Sequence, residues 1–317
     1  MLRSAAVALA SAAAAFAAED APVAFEWRAM GTTMRLLVRG DGAREAGEAM
    51  FAAARAAVEA VEAETSAFRP DGAVCRVSAA AGSGEWIATG PAFDAALDAA
   101  LDVAAKTGGA FNPLVAPLLA ARGFDRGSVS RPSDDAALRD LSAVERRPGA
   151  CRLARSGMAL DLGGVAKGLG ADFAAAAARA AATNEFLLDA GGNLVGRGAW
   201  SVGVRDPRGG ADAPPLRVFP LPGGTAVSTS GNYERRAVAP DGTAAGHVFD
   251  PRTGLPAGGD VLQATAVAPS AVLADAWSTA LFVLGPERGR AALSGENVAA
   301  LWVLAAPESA LRFETGP

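Results

Sequence analysis

The amino-acid sequence predicts an α+β fold, and three observations carry that expectation. Apolar positions recur at helical spacing in some segments and as short strand-like runs in others. The two kinds of segment do not follow the regular strand-helix-strand order of a doubly wound sheet. Over 317 residues, 51% hydrophobic composition against 20% charged supplies enough apolar surface for a core and excludes long disorder. No Pro/Ser-rich or charge-block linker interrupts the middle and no repeat of solenoid length recurs, so residues 19–317 read as one folded unit.

The elements follow in chain order. Met1 through Ala18 place Arg3 ahead of an apolar Ala-rich run ending in Ala15-Phe16-Ala17-Ala18 before Glu19-Asp20, the layout of a secretory signal with a small-residue cleavage site. The run is short and no cysteine sits at the cleavage point, which favours a soluble periplasmic product over retention by an uncleaved signal. Next, Phe25 to Val38 contains the strand Arg35-Leu36-Leu37-Val38, preceded by the turn Met30-Gly31-Thr32-Thr33. From Ala43 to Glu64 the apolar positions keep helical spacing. A second helix spans Ala92 to Lys106, between Pro91 and Thr107-Gly108-Gly109. Short β-like runs follow at Ala159-Leu160-Asp161-Leu162, Glu185-Phe186-Leu187-Leu188 and Trp200-Ser201-Val202-Gly203-Val204, with a helix from about Val165 to Ala182 between the first two. Finally, Ser270 is a good N-cap and Gly285-Pro286 a good stop for a helix between them. Leu273, Trp277 and Leu281 make one side of it apolar, and Val272, Phe282 and Val283 the other, so this helix is buried.

Charge and cysteine content narrow the function classes. A formal charge of -5, with both signs interspersed, offers no basic stripe to neutralise phosphates, so nucleic acid is excluded as a partner. The skew to Ala and Gly inflates chance glycine-rich matches. Cys75 and Cys151 form no metal-ligand spacing; they either pair in an oxidising compartment or stand as two small core residues.

Three motifs bear chemistry. Leu160-Asp161-Leu162-Gly163-Gly164-Val165-Ala166-Lys167-Gly168 reads as a strand passing through paired glycines into a helix, either a plain glycine-rich turn with a solvated lysine or a place where backbone N–H groups and Lys167 address a phosphate. It is neither a Walker A loop nor Gly-x-Gly-x-x-Gly. On the buried helix, Asp275 and Thr279 share a face, with Ser278 beside them. A buried carboxylate costs roughly several kcal/mol unless paired. No base lies on that helix, so the partner is an arginine from elsewhere or a hard cation held by carboxylate, hydroxyl and backbone oxygens. The third motif, His247-Val248-Phe249-Asp250-Pro251-Arg252-Thr253-Gly254, puts the single histidine of the chain ahead of a tight turn, either as a structural or surface group or for acid-base work.

These three segments, in this order, resemble the ApbE family of FAD:protein FMN transferases. The resemblance extends to Met30-Gly31-Thr32, Thr65-Ser66-Ala67-Phe68-Arg69-Pro70, Gly109-Ala110-Phe111-Asn112-Pro113, Leu188-Asp189-Ala190-Gly191-Gly192-Asn193 and Ala226-Val227-Ser228-Thr229-Ser230-Gly231. It implies one flavin-transferase domain over 19–317, with magnesium held by Asp275, Thr279 and a backbone oxygen near Gly164. It also implies FAD contacts from Met30, Phe68, Ala110, Phe111, Asn112, Asp161, Lys167 and the neighbourhood of Phe249, and a functional His247. Two positions depart from the pattern: Asn112 and Asn232 stand where the family commonly has aspartate. An asparagine keeps a hydrogen-bond acceptor and loses the charge.

The chemistry so implied is attack by a threonine or serine hydroxyl of an exported acceptor flavoprotein on the FMN-side phosphorus of FAD, releasing AMP. It calls mainly for charge neutralisation. His247 is the leading base. A periplasmic FAD pyrophosphatase would share every ligand, whereas a flavin-storage protein would need no magnesium at the pyrophosphate.

Overall fold

The chain opens, in a computed structural model, with a hairpin of β1 (Val23–Ala29) and β2 (Thr32–Arg39). The structure describes residues 21–305 and 311–315, apart from 125–126, 130, 210–212, 233–235 and 239–243. The expected export signal at 1–18 lies outside the described residues. Helices α1 (Ala43–Thr65), α2 (Ala73–Ala79), α3 (Pro91–Lys106) and α4 (Ala116–Ala121) come next, with the short strand β3 (Ile87–Ala88) among them. β4 (Val144–Arg147) and β5 (Ala150–Leu153) join β3 in a small sheet. After α5 (Ala166–Ala181) come β6 (Glu185–Ala190), β7 (Asn193–Arg197), β8 (Ser201–Val204), β9 (Arg217–Pro220) and β10 (Ala226–Gly231). β11 (Arg236–Val238), β12 (Ala244–Gly246), β13 (Val261–Ala268), α6 (Ala271–Ala292), β14 (Ala299–Ala305) and β15 (Leu311–Thr315) complete the order. The class is α+β: an eight-stranded sheet in the order β1-β2-β6-β7-β10-β13-β14-β15, paired antiparallel throughout.

The period-two alternation of strands gives that sheet two apolar faces. Phe186, Leu188, Val195 and Ala226 point into the main core, which they share with α1, α3, α5 and α6. Their neighbours Leu187, Leu194 and Val227 point the other way, into a second cluster closed by Trp200, Val202 and Leu221 around β8. Helices are thus segregated to one side, and the site is built where they meet.

The expected helices at 43–64, 92–106 and 165–182 stand as α1, α3 and α5, and Glu185–Leu188 and Trp200–Val204 fall on β6 and β8. The run Ala159–Leu162 is not a strand. Its backbone finds other partners: Leu160 N donates to Ser78 Oγ at 3.0 Å, Leu160 O accepts from Ser128 Oγ at 2.9 Å, and Asp161 N donates to Pro113 O at 2.8 Å. An extended segment whose hydrogen bonds are met by loops and side chains has no need of a ladder. α6 continues past the expected stop, but Gly285 breaks it with φ 70° and ψ 178° immediately before Pro286. Cys75 and Cys151 are both free and buried. Burial raises the Cys75 thiol and pushes Cys151 up to about 12. No helix among the described residues is long and apolar enough to cross a membrane.

Candidate active site

α5 and α6 touch at the point where the chemistry-bearing residues collect. Gly168, in the first turn of α5, lies so close to α6 that a Cβ there would come 2.2 Å from Ala271 O. Only a residue without a side chain permits that approach. Its N–H donates to Asp275 Oδ2 at 3.0 Å. Lys167 Nζ reaches both oxygens of the same carboxylate, at 3.2 and 3.3 Å, and also Gly163 O at 3.2 Å. Asp275 is 3% exposed, so the partner demanded by its burial is a lysine ammonium and a helix N-terminal amide. That pairing answers the search for an arginine or a cation with a third possibility.

The α5–α6 joint is fastened one turn further along by Asp172. Its carboxylate accepts from Ala271 N at 2.8 Å and Val272 N at 2.9 Å, capping the free amides that open α6. Burial raises the Asp172 pKa, while those two amides work against the rise.

Thr279 lies one turn after Asp275, beside Gly164. A Cβ on Gly164 would come 2.8 Å from Phe111 Cε2 and 3.8 Å from Thr279 Oγ1, so Gly164 is sandwiched between that ring and that hydroxyl. Ser230, near the end of β10, approaches Thr279 Oγ1 at 3.1 Å. Asp275, Thr279, Gly164, Lys167 and Phe111 are thereby brought together. Asp161 stands at the entry to the glycine turn, its Oδ1 accepting from Gly163 N at 2.7 Å.

The remaining expected residues lie on neighbouring segments, outside that group. Met30 is the one non-glycine residue with positive φ (50°) among the described residues, and with Gly31 (71°) it makes the two-residue turn of the β1–β2 hairpin. Such a conformation persists where the surroundings hold it. Met30 N donates to Glu62 Oε1 at 2.9 Å, and its Sδ lies 3.0 Å from where a Gly170 Cβ would stand, on α5. Phe68 leaves 60% of its surface exposed. It packs beside Gly127, next to the Ser128 that binds Leu160 O. Ala110 is buried. Asn112 is buried with its amide committed, Nδ2 donating to Arg139 O at 2.9 Å and Oδ1 accepting from Leu114 N at 2.8 Å.

His247 enters through a different set of contacts. Asn232, two residues beyond Ser230, accepts from Val248 N at 3.1 Å and donates to Ala257 O at 3.0 Å. The residue that follows the strand carrying Ser230 thus anchors the histidine segment. Phe249 is buried against Leu118, Leu119 and Phe124. Past it, Asp250 closes the turn by accepting from Arg252 N at 3.0 Å and pairing with the Arg252 guanidinium at 2.7 Å. Burial would raise the Asp250 carboxyl, but these Arg252 bonds outweigh it and hold it below its ordinary value.

Sequence reasoning missed Arg139. This guanidinium belongs to a residue only 8% exposed, and its Nε donates to Pro251 O at 2.7 Å while its own carbonyl holds Asn112. It bolts the Ala110–Asn112 turn to the turn after His247. Burial lowers its pKa, against the pull of Asp134 and Asp135. No spacing announces such a residue. Ser230 did leave a signal, lying on the strand-like run Ala226–Gly231.

Among the described residues no three His, Cys, Asp or Glu side chains gather as a metal cluster. A cation here would rely on a single carboxylate plus hydroxyl and carbonyl oxygens. This all-oxygen set suits magnesium, which commonly takes one or two carboxylates and completes its shell with substrate phosphates and water. Lys167 already shows that positive charge is accepted at both Asp275 oxygens.

Comparison with known proteins adds the following. The sequence profile of the ApbE family matches residues 30–302. The FAD:protein FMN transferase of Treponema pallidum is 35% identical, the match covering 79% of this chain and 75% of the relative. The solved ApbE protein of Thermotoga maritima superposes with a TM-score of 0.76 at 28% identity, covering 92% of this chain and 96% of that one. The apo flavinyl transferase ApbE of Pseudomonas stutzeri gives 0.79 at 24% identity, over 95% and 96%.

Proposed function

The chain belongs to the ApbE family, and we propose that it is a magnesium-dependent FAD:protein FMN transferase that modifies a threonine or serine of an exported redox protein and releases AMP. The observation that carries this reading is the buried Asp275 carboxylate, held at the N-terminus of α5 by Lys167 and Gly168 N with Thr279 and Gly164 alongside. Lys167, the N-terminal amides of α5 and a cation held there would give this small patch the positive potential that a pyrophosphate needs.

Asp275, Thr279 and the Gly164 backbone would hold the magnesium. Bound there, the ion would supply charge neutralisation for the bridging phosphates and for the departing AMP phosphate. Lys167, paired with Asp275 in the described structure, is the mobile cation of the site and shifts toward phosphate oxygens when FAD binds. Phe68, exposed at the rim, and Met30, fixed in its strained turn, offer apolar surface to the isoalloxazine ring. The acceptor hydroxyl has a high pKa and needs a base, for which His247 is the candidate. In the step itself the hydroxyl oxygen bonds to the FMN-side phosphorus, the phosphoanhydride bond to AMP breaks, and the hydroxyl proton passes to the base. The Ala-rich leader at 1–18 supports action outside the cytoplasm.

Incubation of the purified protein with FAD, magnesium and an extract of exported proteins should leave yellow-green fluorescence on a denatured protein band. No fluorescent band from any such extract, while FAD is consumed, would replace transfer with hydrolysis.

A further inference from the structure

Between β10 and α6 runs a line of serine and threonine hydroxyls that ends on Thr279. Ser278 is fully buried and Ser228 nearly so, which leaves no bulk water to reorder their protons. Ser278 Oγ can donate to Asp275 O at 2.9 Å or to Ser228 Oγ at 3.3 Å, and the shorter bond to a carbonyl takes its single proton. Ser278 therefore accepts from Ser230 in the 2.8 Å contact between them. With its proton spent there, Ser230 accepts in its 3.1 Å contact with Thr279, and Thr279 donates. The competing acceptor for Thr279, Asp275 O, is farther at 3.3 Å.

We propose that Ser230 is a positioning residue that draws the Thr279 proton away from the cation position, so that Thr279 presents a lone pair there. A hydroxyl ligand to a hard cation binds through oxygen and must send its proton elsewhere, and outer partners that fix such orientation govern affinity. Ser230 does this without touching the cation. The inference rests on Asp275 and Thr279 being the cation ligands, and gives a role to the Ala226–Gly231 strand.

The test is titration of Mn2+ into protein saturated with FAD and lacking acceptor, with free ion counted by electron paramagnetic resonance against FAD alone. S230A should weaken Mn2+ binding by about 10- to 100-fold, the usual effect of losing an outer-shell partner. T279A should weaken it too, and S230A/T279A should bind no more weakly than T279A, because the two residues act in series. S228A, which removes a hydroxyl outside the proton line, should bind as wild type. Wild-type affinity in S230A, losses that add in the double variant, or an equal loss in S228A would overturn the proposal. Failure of the wild type to bind Mn2+, or undiminished binding by D275A, would instead overturn the cation reading beneath it.

Discussion

Lys167 Nζ meets Asp275 Oδ1 at 3.2 Å across the α5–α6 joint, and that pairing was half legible in the sequence. Burial of Asp275 followed from a helix apolar on both sides, and the need for a partner followed from burial. The partner itself came from another helix 108 residues earlier, a contact no local pattern encodes. D275A removes the one carboxylate of the proposed cation set while leaving a good helix former in place. Magnesium-dependent FAD cleavage should disappear with helical content by circular dichroism unchanged; retained cleavage would refute the assignment. For His247, whose segment is pinned by Asn232 through Val248 N, H247A should slow FMN transfer by roughly two to four orders of magnitude, the range for a single general base. FAD affinity by fluorescence titration should hardly change. Near-normal transfer by H247A would remove it from catalysis, and lost FAD binding would make it structural. Asn112 was expected to contact FAD by resemblance alone; its amide is committed to Arg139 O and Leu114 N, bonds that an uncharged side chain can make on both sides.

The joint between α5 and α6 sets the geometry on which those residues depend. Gly168→Ala would drive a methyl group against Ala271 O, a backbone atom that cannot swing aside. Such overpacking costs about 1–3 kcal/mol, to be read as a lower urea midpoint; an unchanged midpoint would show that the helices separate freely. Asp172 fastens the same joint. Its burial raises the folded-state pKa above that of the unfolded chain, despite the Ala271 and Val272 amides. The folded protein therefore keeps a proton that the unfolded chain has released, and this group's contribution to stability declines as pH rises from about 4, the unfolded aspartate value, through the raised one. An asparagine side chain does not titrate, so D172N should lack that decline in urea midpoints measured across the acidic range; an identical pH profile would contradict the buried assignment. Element types were legible where periodicity ran long, as in α1, α3 and α5. Ala159–Leu162 misled because a short apolar alternation looks the same whether its amides meet a neighbouring strand or, as here, Ser78, Ser128 and Pro113.

At the scale of the whole molecule, one sheet carries helices on one side and the β8–β9 hairpin on the other, and the site lies where α5, α6, the end of β10 and two turns converge. This convergence was not readable from patterns, because the β10, β13 and β14 pairings and the Arg139 bolt join segments far apart in the chain. The resemblance of ordered blocks named the residues; only the fold shows why Gly164, Phe111 and Thr279 must be neighbours. If Lys167, the α5 N-terminus and the proposed cation address phosphate, FAD should bind far more tightly than riboflavin, which offers only the ring to Phe68 and Met30. Equal affinities in a fluorescence titration would displace the pyrophosphate from its centre. The most direct measurement counts AMP released against FMN fixed to a purified acceptor, with magnesium and with EDTA. Equal amounts of the two products, both abolished by EDTA, are expected; AMP in large excess over attached flavin, or attachment that persists in EDTA, would contradict a magnesium-dependent transferase built on Asp275.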